Sequence, residues 1–287
     1  MKVLVLGGTR FIGKRLVNLL AAAGHEVVVA SRGILPVEFV SPIRHIKMDR
    51  NSRADMMRIA AEQFDIVYDN VCFTPQEARD AVDAFANQDI RYVMTSSGSV
   101  YQPGAALKED SFAPLKQHIS LAESQTLGYD EGKRQAEAVF AQQASFPCVF
   151  VRFPIILGED DYSGRLLFHI RKIADSEPFY LPNPEAKLGF IRCDEAAEFL
   201  LWVGTKTTLT GPINAASDGS LTLRQILNII KDKTGGEIRL SSDADNADYS
   251  PFGFSQDFYL NQDYAKSQGF EFLNLSNWLR ELVEKVR

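Results

Sequence analysis

The sequence predicts an α/β protein: a doubly wound parallel sheet followed by a smaller lobe. Two observations in the first half carry the expectation. Short apolar runs alternate with helical patterns across short links. Those runs are rich in Val and Ile and bounded by turn residues, as strands covered on both faces are. The length of 287 residues adds a third, since about 150 residues per domain gives room for two.

Taken in order, Lys2 to Leu6 reads as a buried strand and Phe11 to Ala23 as a helix closed by Gly24. Strands follow at Glu26 to Ala30 and Arg44 to Met48, then a helix from Arg53 to Gln63. A strand at Ile66 to Asp69, a helix at Gln76 to Ala86 and a strand at Arg91 to Ser96 continue the alternation. From Tyr101 to Leu127 the pattern breaks into a Pro-, Ser- and Gln-containing stretch, and a loop that long is usually functional or mobile. A helix at Tyr129 to Gln143 and a strand at Cys148 to Phe153 resume it. Beyond Pro154 the helical segments are Tyr162 to Ala174, Asp194 to Val203, Thr222 to Lys231 and Asn274 to Val286. Thr222 and Gln225 have capping-box spacing. Leu275, Trp278, Leu279 and Leu282 share one face of the last helix. The expected division is residues 1–154 with a returning segment near 190–212, against a lobe of 155–189 and 213–287.

Hydrophobic residues at 45% and charged residues at 24% exclude wholesale disorder. With 31 Lys plus Arg against 37 Asp plus Glu, the net charge of −6 offers no global attraction to phosphate backbones or anionic lipid. Nucleic acid is therefore not an expected partner, and a small-molecule substrate is. No apolar run approaches the length of about 18 residues that spans a bilayer. The apolar run after Lys2 is shorter than a secretory core of roughly 7–15 residues. Cys72, Cys148 and Cys193 form no CxxC or Cys/His cluster, and strand-like apolar surroundings at the last two suggest buried reduced thiols. A cytoplasmic protein is expected.

Gly7-Gly8-Thr9-Arg10-Phe11-Ile12-Gly13 lies between the first strand and the first helix. Glycines at such a junction make a tight turn and let backbone approach a pyrophosphate, with the helix N-terminus offering free N–H donors. Gly7, Thr9, Arg10, Phe11, Ile12 and Gly13 are the cofactor-binding candidates of this loop.

The loop resembles the opening of the extended short-chain dehydrogenase/reductase family, the NAD-dependent epimerase/dehydratase group, whose pattern is GGxGFIG. Arg10 replaces the middle glycine, and in that form GGTRFIG is most similar to the branch holding the chloroplast stem-loop-binding proteins. Thr95-Ser96-Ser97-Gly98-Ser99-Val100-Tyr101 resembles the family's SSxxVY segment, and Tyr129-Asp130-Glu131-Gly132-Lys133 its YxxxK. Arg152-Phe153-Pro154 to Gly158 resembles the segment after its sixth strand. The resemblance implies a Rossmann domain, a catalytic set of Ser97, Tyr129 and Lys133, and a contact from Asp49 to the adenine. It also implies that Lys133 holds the nicotinamide ribose. Family members often pair through the two helices near 76–86 and 129–143. A homodimer is therefore expected, with Ala78, Ala81, Ala84, Ala136 and Ala138 on its face.

Tyr129 and Lys133 are four apart on a helix and emerge on one face. An ammonium beside a phenol favours the phenolate, which suits proton exchange with a substrate hydroxyl or carbonyl. Ser97, three before Val100, is the hydroxyl anchor that the resemblance implies, with Ser96 as the alternative. A dinucleotide site for NAD usually places an acid about 20 residues after the glycine loop. Here Ser31 and Arg32 stand there instead, so NADP is favoured over NAD, with Arg10 as a further cation. Ile155 and Lys187-Leu188-Gly189-Phe190-Ile191 lack the family's nucleotide-sugar signature. His25 and His45 read as structural, while His118 in the long stretch is the only histidine given a chance of facing substrate. The leading function is an NAD(P)-dependent oxidoreductase, epimerase or dehydratase. The alternative is a nucleotide-sensing or RNA-binding relative without catalysis.

Overall fold

The computed structural model describes residues 1–34, 36–245 and 248–286. The chain divides into two compact units. The first comprises Met1–Tyr101, Glu109–Phe153 and Ala196–Ala215, and the second Gln102–Lys108, Pro154–Glu195 and Ala216–Arg287.

The first unit is built on seven strands: β1 (Lys2–Leu6), β2 (Glu26–Ser31), β3 (Arg44–Lys47), β4 (Ile66–Asp69), β5 (Arg91–Ser97), β6 (Cys148–Phe153) and β7 (Gly211–Asn214). They pair in the order β7-β6-β5-β4-β1-β2-β3, all parallel. Continuous burial along Val3–Leu6, Val27–Ala30 and Ile66–Asp69 explains the unbroken apolar runs: both faces of these strands are covered. Strand order reverses between β1 and β4, and the C-terminal ends there border the crevice where open α/β sheets bind ligands.

Helices α1 (Phe11–Ala22), α2 (Arg53–Ala60), α3 (Pro75–Phe85) and α4 (Tyr129–Gln143) belong to the same unit. Ser52 caps α2 through the Asp55 N–H, and Thr74 with Glu77 forms a full capping box on α3. In contrast, α1 has no side-chain cap and no acid in its first turn.

The stretch after Tyr101 is more ordered than its sequence suggests. Gly104–Leu107 is a strand of the second unit, paired in parallel with Phe258–Leu260. Short 3₁₀ turns at Glu109–Ser111 and Pro114–Lys116 belong to the first. Gln142 Nε2 donates to the carbonyls of Pro114 (3.0 Å) and Gln117 (2.9 Å), and the Ser120 N–H donates to Gln135 Oε1 (2.7 Å). These bonds run along α4, on a segment where periodicity carried no signal. Ala78, Ala81, Ala84, Ala136 and Ala138 are all buried within the single chain. These five alanines therefore form no exposed patch on α3 and α4.

In the second unit α5 (Arg165–Ala174), α7 (Leu223–Thr234) and α9 (Leu275–Lys285) enclose an apolar core that includes Ile170, Ile230, Leu279 and Phe252. Of the other two helices, α6 (Cys193–Thr205) starts in this unit and continues in the first, and α8 (Asp263–Ser267) is a short turn. The capping box of Thr222 and Gln225 opens α7, and Gly235 at φ +77° closes it. The second unit also buries Glu195, whose Oε1 accepts the Leu273 N–H at 2.5 Å.

All three cysteines are free and buried, although Cys193 opens α6 rather than lying in a strand. Among the described residues no helix is long and apolar enough to cross a membrane, and no cluster of His, Cys, Asp and Glu has metal-binding geometry.

Candidate active site

The glycine loop is tight for reasons that can be read atom by atom. Gly7 follows β1 at φ +75°, and a Cβ there would stand 2.7 Å from Val71 on the turn after β4. A Cβ on Gly13 would run into the Gly7 carbonyl oxygen, so the first turn of α1 is seated directly on the loop. The first backbone bond of the helix runs from the Lys14 N–H to the Arg10 carbonyl at 3.1 Å. Thr9 and Phe11 are half-buried, Ile12 is buried, and Arg10 is exposed at the N-cap.

At the end of β2, Ser31 Oγ accepts the Gly33 N–H at 3.2 Å and lies 2.8 Å from His45 Nε2 on β3. Arg32 beside it is exposed. His45 lies within β3, as the sequence indicates, and is exposed. Asp49 is exposed beyond β3, with Oδ1 accepting the Asn51 N–H at 3.0 Å. Its neighbour Arg50 is buried and donates twice to Asp69 Oδ2, from Nε at 2.9 Å and from Nη2 at 2.7 Å. The Tyr92 hydroxyl donates to the same oxygen at 2.7 Å, and Asp69 Oδ1 accepts the Val71 N–H. Burial and the Asp69 carboxylate push the Tyr92 phenol up, so it stays a donor. One buried carboxylate thus joins the turns after β3 and β4. Sequence reasoning did not single out Arg50, Asp69 or Tyr92.

The Tyr129 and Lys133 side chains begin on one face of α4, as their spacing predicts. Tyr129 opens the helix and is 55% exposed, whereas Lys133 is 1% exposed. The Lys133 ammonium donates to the carbonyls of Cys72 (2.6 Å) and Thr95 (2.8 Å). It lies 4.5 Å from the centre of the Phe73 ring and 5.9 Å from that of Tyr129. The two rings are 6.1 Å apart. Its closest partners are therefore backbone carbonyls and Phe73, a residue the sequence did not mark.

Ser97 ends β5, and its Oγ accepts the Ser99 N–H at 3.1 Å. Arg134, next to Lys133, donates to the carbonyls of Val100 (2.8 Å) and Ser99 (3.4 Å). Successive residues of α4 thereby hold the backbone on both sides of Ser97. Ser96 points to the opposite face of the strand and donates to Glu137 Oε1 at 2.5 Å. That bond removes it as the alternative anchor. Glu137 and Arg152, both fully buried, pair at 2.6 Å, and Arg152 Nη1 reaches the Tyr101 hydroxyl at 2.8 Å. Burial works against the Arg152 charge, and Glu137 outweighs it. Glu137 lies four residues beyond Lys133 on the same helix face, a spacing that could have revealed it. His118 is exposed in the long stretch.

The model of the NAD dependent epimerase/dehydratase family matches residues 3–73. Among curated proteins, the chain is 27% identical over 226 residues to the chloroplast stem-loop binding protein of 41 kDa b from Arabidopsis thaliana, covering 71% of this chain and 56% of that protein. It is 31% identical over 144 residues to 2'-dehydrokanamycin reductase from Streptomyces kanamyceticus, covering 47% of this chain and 41% of that one. The chain thus spans about half the length of the curated relatives it matches. Among solved structures, UDP-glucose 4-epimerase of Thermotoga maritima with UDP-glucose superposes with a TM-score of 0.77 at 17% identity, over 99% of this chain and 98% of that one. UDP-glucose 4-epimerase of Thermus thermophilus in complex with NAD gives 0.71 at 16% identity, over 100% and 99%. The glycine loop and first four strands match in sequence and the whole chain matches in fold, so the resemblance to the NAD-dependent epimerase/dehydratase family, read first from GGTRFIG, holds.

Proposed function

We propose that the chain is an enzyme that binds a nicotinamide dinucleotide, NADP(H) in preference to NAD(H), and acts on a hydroxyl or carbonyl carbon of a small molecule. The glycine loop suits a pyrophosphate, because Gly7 and Gly13 let it pack tightly against the start of α1, a helix with no side-chain cap. Ser31 and Arg32 suit a 2′-phosphate, and Asp49 beyond β3 suits the adenine amino group. The bound nicotinamide would supply or accept the hydride.

The observation that carries the reading is the anchorage of Lys133 to Cys72 and Thr95. An ammonium has three N–H donors. Two are spent on the carbonyls of Cys72, in the turn after β4, and Thr95, within β5, and the third is left for the ribose or the Tyr129 oxygen. Tyr129 then exchanges the proton with the substrate oxygen, while Ser97 anchors that oxygen by a hydrogen bond. Titration with NADPH and NADH, followed by a carbonyl screen in which Tyr129→Phe is compared with wild type, tests the proposal. A chain that binds neither dinucleotide would overturn it.

A further inference from the structure

β2 and β3 pair in parallel, with Val29 opposite His45 and Ser31 opposite Lys47. Opposed residues of paired strands share a face, so His45, Lys47 and Ser31 project on one side of this sheet edge. Gly33, at φ +66°, turns the chain back so that its N–H reaches Ser31 Oγ, and the Lys47 stem lies beside that turn. The Ser31 hydroxyl is then enclosed by two nitrogens, Gly33 N and His45 Nε2.

A hydroxyl has one proton to give and two lone pairs to accept with. Gly33 occupies one lone pair. If His45 carries its proton on Nε2, it occupies the second, and the Ser31 proton can only be donated outward, beside Arg32. If the proton is on Nδ1, Ser31 donates to Nε2 and has no proton to offer outward. A phosphate oxygen placed against Ser31 needs the outward proton and so selects the first arrangement.

We propose that His45 is a positioning residue for cofactor choice: it orients the Ser31 hydroxyl toward the 2′-phosphate that separates NADPH from NADH. This rests on the NADP reading above. His45 is exposed, so its replacement leaves the core intact. Dissociation constants for NADPH and NADH, and for 2′,5′-ADP and 5′-ADP, should be measured in wild type, His45→Leu and His45→Gln. His45→Leu should weaken NADPH and 2′,5′-ADP roughly tenfold, with NADH and 5′-ADP unchanged. His45→Gln, whose amide N–H can reach the same oxygen, should recover most of that loss. An unchanged NADPH-to-NADH ratio in His45→Leu, or equal loss for both cofactors, would overturn the role of His45. Equal affinity of wild type for the two cofactors would instead overturn the NADP reading beneath it.

Discussion

Lys133 donates to the Thr95 carbonyl at 2.8 Å, which ties α4 to β5 two residues before Ser97. The bond links the elements that carry Tyr129 and Ser97, so neither depends on its own loop for position. It also gives the ammonium a part in holding the backbone that the Tyr–Lys spacing alone does not reveal.

Tyr129→Phe removes one hydroxyl from a half-exposed ring whose neighbours are Phe73 and Lys133. Turnover should fall by roughly 10²–10⁴-fold, with cofactor affinity and the thermal midpoint little changed. A single-turnover assay of nicotinamide absorbance checks it, and full activity would remove Tyr129 as the acid–base residue.

Lys133→Met should behave differently. It leaves the carbonyls of Cys72 and Thr95 without their buried donor, so urea unfolding should show a loss on the order of 1–3 kcal/mol beside the loss of activity. Stability equal to wild type would mean that the ammonium does not brace the strand ends.

Arg32→Ala should weaken NADPH by about 1.5–3 kcal/mol and spare NADH, because only the former carries an anion for the guanidinium. Calorimetric titration with both cofactors decides it, and equal losses would count against the 2′-phosphate assignment.

Glu137→Leu strands the fully buried Arg152 charge, which should cost about 3–5 kcal/mol in chemical denaturation. Adding Arg152→Met should recover part of that cost, since a pair of apolar side chains leaves no unpaired charge.

His169 is buried against Phe252, with Nε2 2.7 Å from Ser250 Oγ and Nδ1 2.8 Å from the Arg165 carbonyl. Burial pulls it down to about 4. The unfolded chain, with an ordinary imidazole near 6.5, binds the proton first as pH falls. Stability from this group is therefore full above about pH 6.5 and declines toward pH 4, by up to about 3 kcal/mol. His169→Gln should flatten the thermal midpoint across that window, and an unchanged slope would assign the acid sensitivity elsewhere.

The inner strands of the sheet were legible because they are buried on both faces and read as continuous apolar runs, as at Val3–Leu6. The Tyr129–Lys133 pair was legible because helical spacing determines a shared face. Four features were not legible, and each depends on contacts far along the chain. Arg50 meets Asp69 across 19 residues, and Lys133 meets Cys72 across 61. The stretch after Tyr101 is ordered by side chains of α4 rather than by its own pattern. Ser97 and Ser96 were separable only once strand alternation showed which one turns inward to Glu137.

Gly132, inside the Tyr–Lys segment, lies against the Phe73 carbonyl so closely that a Cβ would stand 2.5 Å from that oxygen. The third position between Tyr129 and Lys133 is therefore a spacer gauge for the whole site. One added methyl would wedge α4 away from the turn that supplies Cys72 and Phe73. It would part Lys133 from its carbonyls while leaving every chemically active side chain in the sequence.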